Sequence, residues 1–191
     1  MEALDFEKLT PSDTKVKYGF VNELLSMGRE HPQDLYPYLP HIVALLDSGN
    51  NILQWTGLDL LGLLITVDTD HRIRPLLPRL YRYLDTGKMI TTNHAVWALF
   101  EIAKVESDDQ NEILGEILKT QKYRYDTEEC KNIVYGNIIK GASAVYPNIR
   151  DEGTKKKFYD FIGRQTANSR NATKKKAEAF IKKYDEQGGS R

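Results

Sequence analysis

The sequence predicts an all-α protein, an α-α superhelix of about four helix pairs followed by a C-terminal capping helix. A stretch from Pro37 to Gly49 recurs from Pro75 to Gly87, and the two copies are 38 residues apart. Apolar residues elsewhere follow helical spacing, and we find no convincing strand-like alternation. An offset shared by apolar and turn-forming residues is characteristic of repeat proteins.

The repeated stretch predicts a helix that ends in a tight turn. In the first copy, four apolar residues have the i, i+3, i+4, i+7 spacing of a buried helical face: Leu39, Ile42, Val43 and Leu46. The prolines suit the first helical turn because they lack an N–H group. We expect Gly49 and Gly87 to end the two helices in the left-handed conformation that glycine adopts without strain.

The first half of the chain predicts three helices. We expect Thr10 to cap the first helix, with Pro11 in its first turn and with Val16 on its apolar side. The second helix carries the first copy of the repeat. The third, residues 52–64, is apolar nearly all round, as expected of a helix between two neighbours, and Gly57 and Gly62 would allow those neighbours to approach closely.

The second half predicts six more helices. The fourth carries the second copy of the repeat and would be capped by Thr69 or Asp70. The remaining helices are expected to begin near Thr91-Thr92-Asn93, Ser107-Asp108-Asp109, Asp126-Thr127-Glu128-Glu129, after Pro147-Asn148, and near Ser169-Arg170-Asn171.

These patterns divide the chain into four segments. Residues 1–10 form an N-terminal arm, 11–168 the repeat domain, 169–186 a basic capping helix and 187–191 a flexible tail. Helical periodicity predicts a core that includes Leu39, Ile42, Leu46, Leu61, Leu64, Leu77, Leu80, Leu84, Leu99, Ile102 and Ile138. The capping helix would bury Ala177, Phe180, Ile181 and Tyr184 against the last pair.

Composition narrows the class of protein. Cys130 is the single cysteine, so an internal disulfide is impossible. We see neither an apolar run of the ~20 residues that a membrane span needs nor a signal-peptide pattern at the start, and we therefore expect a cytoplasmic protein. The formal net charge is zero, but from Gly153 onward eleven basic residues face four acidic ones. This asymmetry predicts an acidic body with a basic end.

The spacing of the repeat, its two-helix unit and its proline-led second helix resemble HEAT repeats or the related armadillo-type repeats. The resemblance covers about residues 11–165, as four helix pairs. It implies an α solenoid whose second helices line a concave surface. HEAT motifs name a fold and not an activity.

The candidate partner-binding surface lies on the predicted fourth helix. Arg72, Arg79 and Arg82 share one helical face, with Arg74 and Tyr81 beside them. The resemblance to HEAT repeats aims this face into the concave groove, where the equivalent face of the second helix carries Tyr38 and His41. Arginine with tyrosine suits a carboxylate, a phosphate or a stacked base. The alternative is a solvated face neutralised by nearby aspartates, Asp68, Asp70 and Asp85.

A second hypothesis is nucleic-acid binding. Lysine clusters occur at residues 155–157 and 174–176. Trp55 and Asp59 lie one helical turn apart, which is similar to the tryptophan and aspartate of the HEAT-like alkylpurine DNA glycosylases. That family also requires an arginine from a neighbouring repeat, and no arginine occurs between Arg82 and Arg124. The ordinary interpretation of a tryptophan in an apolar helix, including Trp97, is a core residue.

The sequence offers no catalytic or metal-binding motif. The four histidines show no i, i+4 pair at ligand spacing, and no phosphate-binding glycine loop or nucleophile motif occurs. We therefore expect a monomeric, non-enzymatic scaffold without a cofactor, which binds a protein or peptide bearing an anionic group in its groove. Nucleic-acid binding is the alternative.

Overall fold

The computed structural model describes residues 4–10, 13–106 and 108–188, and these residues form helices and connecting turns without a strand. The helices pack against one another, so the predicted all-α class is confirmed. The chain divides into two compact units, Met1–Pro75 and Leu76–Arg191.

The first unit is built on two long helices. A 3-10 turn, Phe6–Leu9, leads to α1 (Thr14–Glu30); α2 (Pro32–Leu35), a 3-10 turn (Tyr36–Tyr38) and α3 (Leu39–Leu45) follow; α4 (Asn51–Leu64) then packs against α1 and α3. Close approach of α4 to α3 needs Gly57, because a Cβ there would lie 3.1 Å from Leu46 Cδ2 and 3.3 Å from the Ile42 carbonyl oxygen.

The second unit is organised around α6 and α8. It contains α5 (Leu77–Arg82), α6 (Met89–Val105), α7 (Gln110–Lys119), α8 (Glu128–Val145), α9 (Glu152–Arg164) and α10 (Asn171–Gly188). α6 contacts α5, α7 and α8, and α10 lies against α8 and α9. Of the predicted flexible tail, Gln187 and Gly188 belong to α10, and residues 189–191 lie outside the described part of the chain.

The predicted core is confirmed. All eleven core residues that periodicity predicts are buried, as are Ala177 and Phe180 of the capping helix, whereas Ile181 and Tyr184 are half-buried. Val16 is different, since 44% of its side chain is exposed on the first turn of α1. A residue near a helix end can have the spacing of the apolar face and still be exposed, because the neighbouring helix does not extend far enough to cover it.

The two copies of the repeat end differently. Gly87 has φ 71 and takes the predicted left-handed conformation, but Gly49 does not. The predicted second helix is also not continuous, because a 3-10 turn over Tyr36–Tyr38 separates α2 from α3. Prolines at positions 37 and 40 remove backbone donors from this region, so a continuous ladder of i to i−4 hydrogen bonds cannot form.

Several predicted helix starts are wrong by a few residues. The carboxylate of Asp13, not Thr10, caps α1 by accepting from the amides of Lys15 and Val16, and the expected position of Pro11 lies outside the described residues. Helix α6 begins at Met89, so Thr91 and Thr92 lie inside it with buried side chains. Thr127 does cap α8, where its hydroxyl accepts from the Cys130 amide at 3.1 Å.

Candidate functional site

The predicted arginine face is interrupted before α5. Arg72 lies in an irregular segment, Arg74 begins a short 3-10 turn, and α5 begins only at Leu77. Arg72 therefore does not share a continuous helix with Arg79 and Arg82, which corrects the expectation from sequence. The cause is again the loss of backbone donors at prolines, together with a competing cap on this turn.

That cap is Asp68, a buried carboxylate. The sequence had suggested instead that Asp68 neutralises the nearby arginines. Its two oxygens accept from the amides of Arg72 at 2.9 Å and Ile73 at 2.8 Å, and the hydroxyl of Tyr36 also donates to it. Only 5% of Asp68 is exposed. The residue therefore fixes the backbone of the turn, and neither Thr69 nor Asp70 has the predicted capping role.

Asp68 also shapes the chemistry around Arg72. The Arg72 guanidinium lies 5.5 Å from the centre of the Tyr36 ring, where a cation is attracted to the ring face. Burial, together with the hydrogen bond to Asp68, raises the pKa of Tyr36 to about 12. Arg72 is thus an exposed cation held by a ring that is itself anchored to the turn.

Two further predicted site residues, Tyr38 and His41, contact the N-terminal arm. The ring of Phe6 stacks on His41 with centroids 4.7 Å apart, and it also contacts Tyr38 at 5.7 Å. The Leu4 amide donates to the Tyr38 hydroxyl at 3.3 Å. Residues 4–10 of the same unit therefore contact both side chains, of which Tyr38 is half-buried and His41 remains exposed.

Helix α5 carries the remaining predicted site residues in three different environments. Arg82 is exposed, Arg79 is half-buried and takes part in an interaction within the protein, and Tyr81 is half-buried with an enclosed hydroxyl. Burial and the nearby carboxylate of Glu112 raise the pKa of Tyr81, although the hydroxyl has no well-formed hydrogen bond in the described residues. Tyr81 therefore belongs to the packing of α5 against α7.

The prediction that the tryptophans are core residues is wrong for Trp97. Trp97 is 37% exposed on α6, and Trp55 is half-buried on α4. The acidic residue one turn after Trp97, Glu101, pairs with Lys104 at 2.6 Å. The sequence did not predict this exposure, because a helix that is apolar nearly all round does not indicate which of its sides faces solvent.

The two C-terminal lysine clusters behave differently from one another. On α9, Lys155 and Lys156 form ion pairs with Glu152 and Asp160. On α10, Lys174 pairs loosely with Glu178 at 3.9 Å, whereas Lys176 donates to the carbonyl oxygen of Gly136 at 3.1 Å. A cleft beside Lys176 is a feature that sequence reasoning missed, since residues some 40 positions apart form it.

The described residues contain no group of three or more His, Cys, Asp and Glu side chains arranged to hold a metal ion. Within the same part of the chain, no helix combines the length and apolar character that a membrane crossing requires. Cys130 is half-buried in the first turn of α8.

No protein-family model matches the sequence, and a search of curated proteins finds no similar sequence.

Proposed function

We propose that the chain is a HEAT-type helical-repeat scaffold that binds a protein or peptide partner bearing an anionic group. The observation that carries the proposal is the two-sided character of α5. Its leucines, Leu77 and Leu80, are buried, whereas Arg82 faces solvent and Arg79 is only half-buried. A basic helical face on a packed scaffold suits paired hydrogen bonds to a carboxylate or phosphate.

The internal repeat and the helical packing of each unit support the repeat class. The charge around α5 supports a protein or peptide rather than a nucleic-acid duplex. The facing helix α7 contributes Glu112 and Glu116, and Glu116 pairs with Lys119. Duplex DNA requires many phosphate contacts along one basic surface, whereas Arg79 and Arg82 alone can bind a single anionic group of a peptide.

The test uses an array of short acidic, neutral and basic peptides probed with the full-length protein. We expect selective retention by acidic peptides and loss of that retention in the variant Arg79→Glu with Arg82→Glu, at an unchanged Tm. The control variant, Lys156→Glu with Lys157→Glu, has the same change in charge on another helix and should bind as the parent does.

Equal binding by all three proteins, or equal loss in both variants, would contradict the proposal. The first result would show that the arginines make no contact, and the second that only net charge matters. An arginine at the edge of the binding interface should contribute modestly to the free energy of binding, and one at its centre about 2 kcal/mol or more.

Exposure of Trp97 favours a second candidate, binding of single-stranded nucleic acid, because an exposed indole can stack on a base. In that case an oligothymidylate should quench tryptophan fluorescence, and Trp97→Ala should abolish binding. A glycosylase activity would further require release of alkylated bases, with Trp55 and Asp59 as the residues to substitute. Absence of both quenching and base release would eliminate this candidate.

A further inference from the structure

A cleft lies between α8 and α10 in the second unit. Its volume is about 300 Å³, and it is lined by Ile139, Lys140 and Ser143 of α8 and by Lys176, Ala179, Phe180, Lys183 and Tyr184 of α10. The volume is at the small end of the range for ligand sites in proteins. The cleft is open to solvent along one side, so it could receive a single side chain of a larger ligand.

The packing of the two helices explains why the cleft forms. Near the start of α10 the helices touch, since a Cβ at Gly136 would lie 2.8 Å from Thr173 Oγ1, and the Thr173 hydroxyl donates to the Asn132 carbonyl oxygen at 2.7 Å. Farther along, Ser143 and Ala179 are too short to fill the space between the helices.

The inner surface of the cleft is apolar. Ile139 and Phe180 are buried residues of the core, and Phe180 packs against Tyr146 with ring centroids 4.8 Å apart. The hydroxyl of Ser143 donates to the carbonyl oxygen of Ile139, one turn earlier in its own helix, at 2.7 Å. An occupant of the cleft therefore does not need to form hydrogen bonds with these wall residues.

The rim of the cleft is positively charged. Lys140, Lys176 and Lys183 stand around it, and no carboxylate among the described side chains lies within ion-pair distance of them. The lysines of α9 differ, since Lys155 and Lys156 both have carboxylate partners. Burial, with the nearby positive charges of Arg170 and Lys140, lowers the pKa of Lys176, so an added negative charge would be favourable there.

We propose that this cleft binds an acidic peptide segment, which inserts one large apolar side chain between α8 and α10 and presents flanking carboxylates to Lys140, Lys176 and Lys183. Charge complementarity requires an anion, and the apolar walls require a hydrophobic group next to it. The cleft is separate from Arg79 and Arg82 in sequence, so this inference does not depend on the function proposed for α5.

Two other anionic occupants fit less well. A fatty acid would leave much of its chain in water, because ligand pockets normally enclose most of a small molecule. A nucleic-acid base needs an accessible aromatic face, but only 3% of Phe180 is exposed, and the half-buried Tyr184 ring already packs against Tyr146 and Phe180 with centroids 4.5 and 4.6 Å apart. One apolar side chain with neighbouring carboxylates matches both the size and the charge.

The experiment is a titration of the full-length, ¹⁵N-labelled protein, followed by NMR, with a capped peptide of sequence Glu-Glu-Phe-Glu-Glu. We expect amide shifts concentrated in α8 and α10. Replacing the phenylalanine of the peptide by alanine, or its glutamates by glutamines, should each weaken binding by about fivefold or more. Raising the salt concentration should also weaken binding, because exposed charges are screened.

Two protein variants test the two halves of the site. Lys140→Gln with Lys183→Gln removes charge from the rim, and Ala179→Phe fills the cleft from an exposed position while leaving the lysines in place. Both should weaken binding by about fivefold or more. The matched control, Lys174→Gln with Lys175→Gln, also removes two positive charges from the second unit and should bind normally, as should Arg79→Glu with Arg82→Glu. Thermal melts verify that each variant is folded.

The inference is overturned if the peptide causes no shifts in α8 and α10, or if the control variant loses as much affinity as the rim variant. It is also overturned if decanoate or a single-stranded oligothymidylate shifts these amides at concentrations at which the peptide does not. A loss of acidic-peptide binding confined to the Arg79 and Arg82 variant would support α5 and count against the cleft.

Discussion

The two glycines of the repeat are equivalent in sequence but not in conformation. Gly87 has φ 71, and a Cβ there would also lie 3.5 Å from the Arg124 carbonyl oxygen. Gly49 has no positive φ, and a Cβ at that position would meet nothing within 4 Å. The same residue type at the same repeat position therefore has a structural requirement in one copy only.

This difference predicts effects of different size for the same substitution at the two positions. Gly87→Ala should lower the free energy of unfolding by about 1–2 kcal/mol, since an alanine pays the left-handed penalty. Gly49→Ala should change it by less than about 0.5 kcal/mol, because the site is unstrained and open. Urea denaturation of both variants measures the difference, and equal losses would show that the two turns are alike.

The hydrogen bond from Tyr36 to Asp68 should affect the pKa of the Tyr36 phenol. This hydrogen bond raises the pKa of the phenol beyond the effect of burial, so Asp68→Asn should lower that pKa from about 12 toward the ordinary value near 10. Absorbance at 295 nm, as the difference from Tyr36→Phe in each background, measures it. The control Asp70→Asn removes an exposed carboxylate that contributes less and should cause a smaller shift.

The sign of the linked stability effect follows from the same pKa. The folded form holds the Tyr36 proton above the pH at which an unfolded tyrosine releases it, so this contribution to stability is complete below about pH 10 and is lost as the pH rises toward 12. In Asp68→Asn the Tyr36 pKa lies nearer to 10, so the part of the stability that is lost between about pH 10 and 12 should be smaller than in the parent protein. A Tyr36 pKa unchanged by the substitution would contradict the role given to Asp68.

At the scale of elements, the contact between α6 and α8 depends on one missing side chain. A Cβ at Gly141 of α8 would overlap the ring of Phe100 on α6, whereas a Cβ at Gly115 of α7 would meet nothing within 4 Å. Phe100 is buried and packs near Phe158 of α9, with centroids 6.2 Å apart, so it has little room to move.

Gly141→Ala should therefore destabilise the protein by about 1–3 kcal/mol through overpacking. Gly115→Ala, also inside a helix, should stabilise it by up to about 1 kcal/mol, because alanine has the higher helix propensity. Guanidinium denaturation compares the two. A stabilised Gly141→Ala variant would show that Phe100 can shift without cost.

Helix α10 is expected to act as a structural cap for the second unit. Its buried residues are Ala177 and Phe180; Phe180 lines the cleft with Ile139 of α8 and lies near Tyr159 of α9, with ring centroids 6.5 Å apart. Deleting residues 169–191 should lower the Tm or cause aggregation, since this surface has no other cover. Lys174→Ala with Lys175→Ala keeps the helix and should leave the Tm unchanged. An unchanged melt after the deletion would instead make α10 a functional arm.

At the scale of the whole molecule, the charge distribution predicts self-association at low salt. The net charge is zero at pH 7, yet the residues from Gly153 onward carry an excess of seven positive charges and the preceding chain an equal negative excess. Opposite regions of two molecules attract, and a protein near zero net charge has little overall repulsion to prevent it.

Light scattering at pH 7 should therefore show reversible association in ~10 mM salt, where the screening length is about 30 Å, and a monomer at ~150 mM, where it is about 8 Å. Lys156→Glu with Lys157→Glu reduces the asymmetry and should reduce the association. Equal particle size at both salt concentrations would contradict this expectation.

The sequence alone determined the helical class, nearly every helix and the buried leucines and isoleucines. Helical periodicity and capping are local, because residues three and four apart meet on one face whatever the rest of the chain does. Leu46, Leu61 and Leu99 could be assigned to the core for that reason. Errors in helix starts, such as Met89 for α6, reflect competition among several possible caps within a few residues.

Only the tertiary structure decided which surface residues remain available. Phe6 stacks on His41, the Asp68 carboxylate accepts from the turn before α5, and Trp97 faces solvent from an apolar helix. The lysine-rimmed cleft joins Lys140 to Lys183 across two helices. These contacts link residues that are distant in sequence, and no short-range pattern records them, because they depend on how completed helices pack.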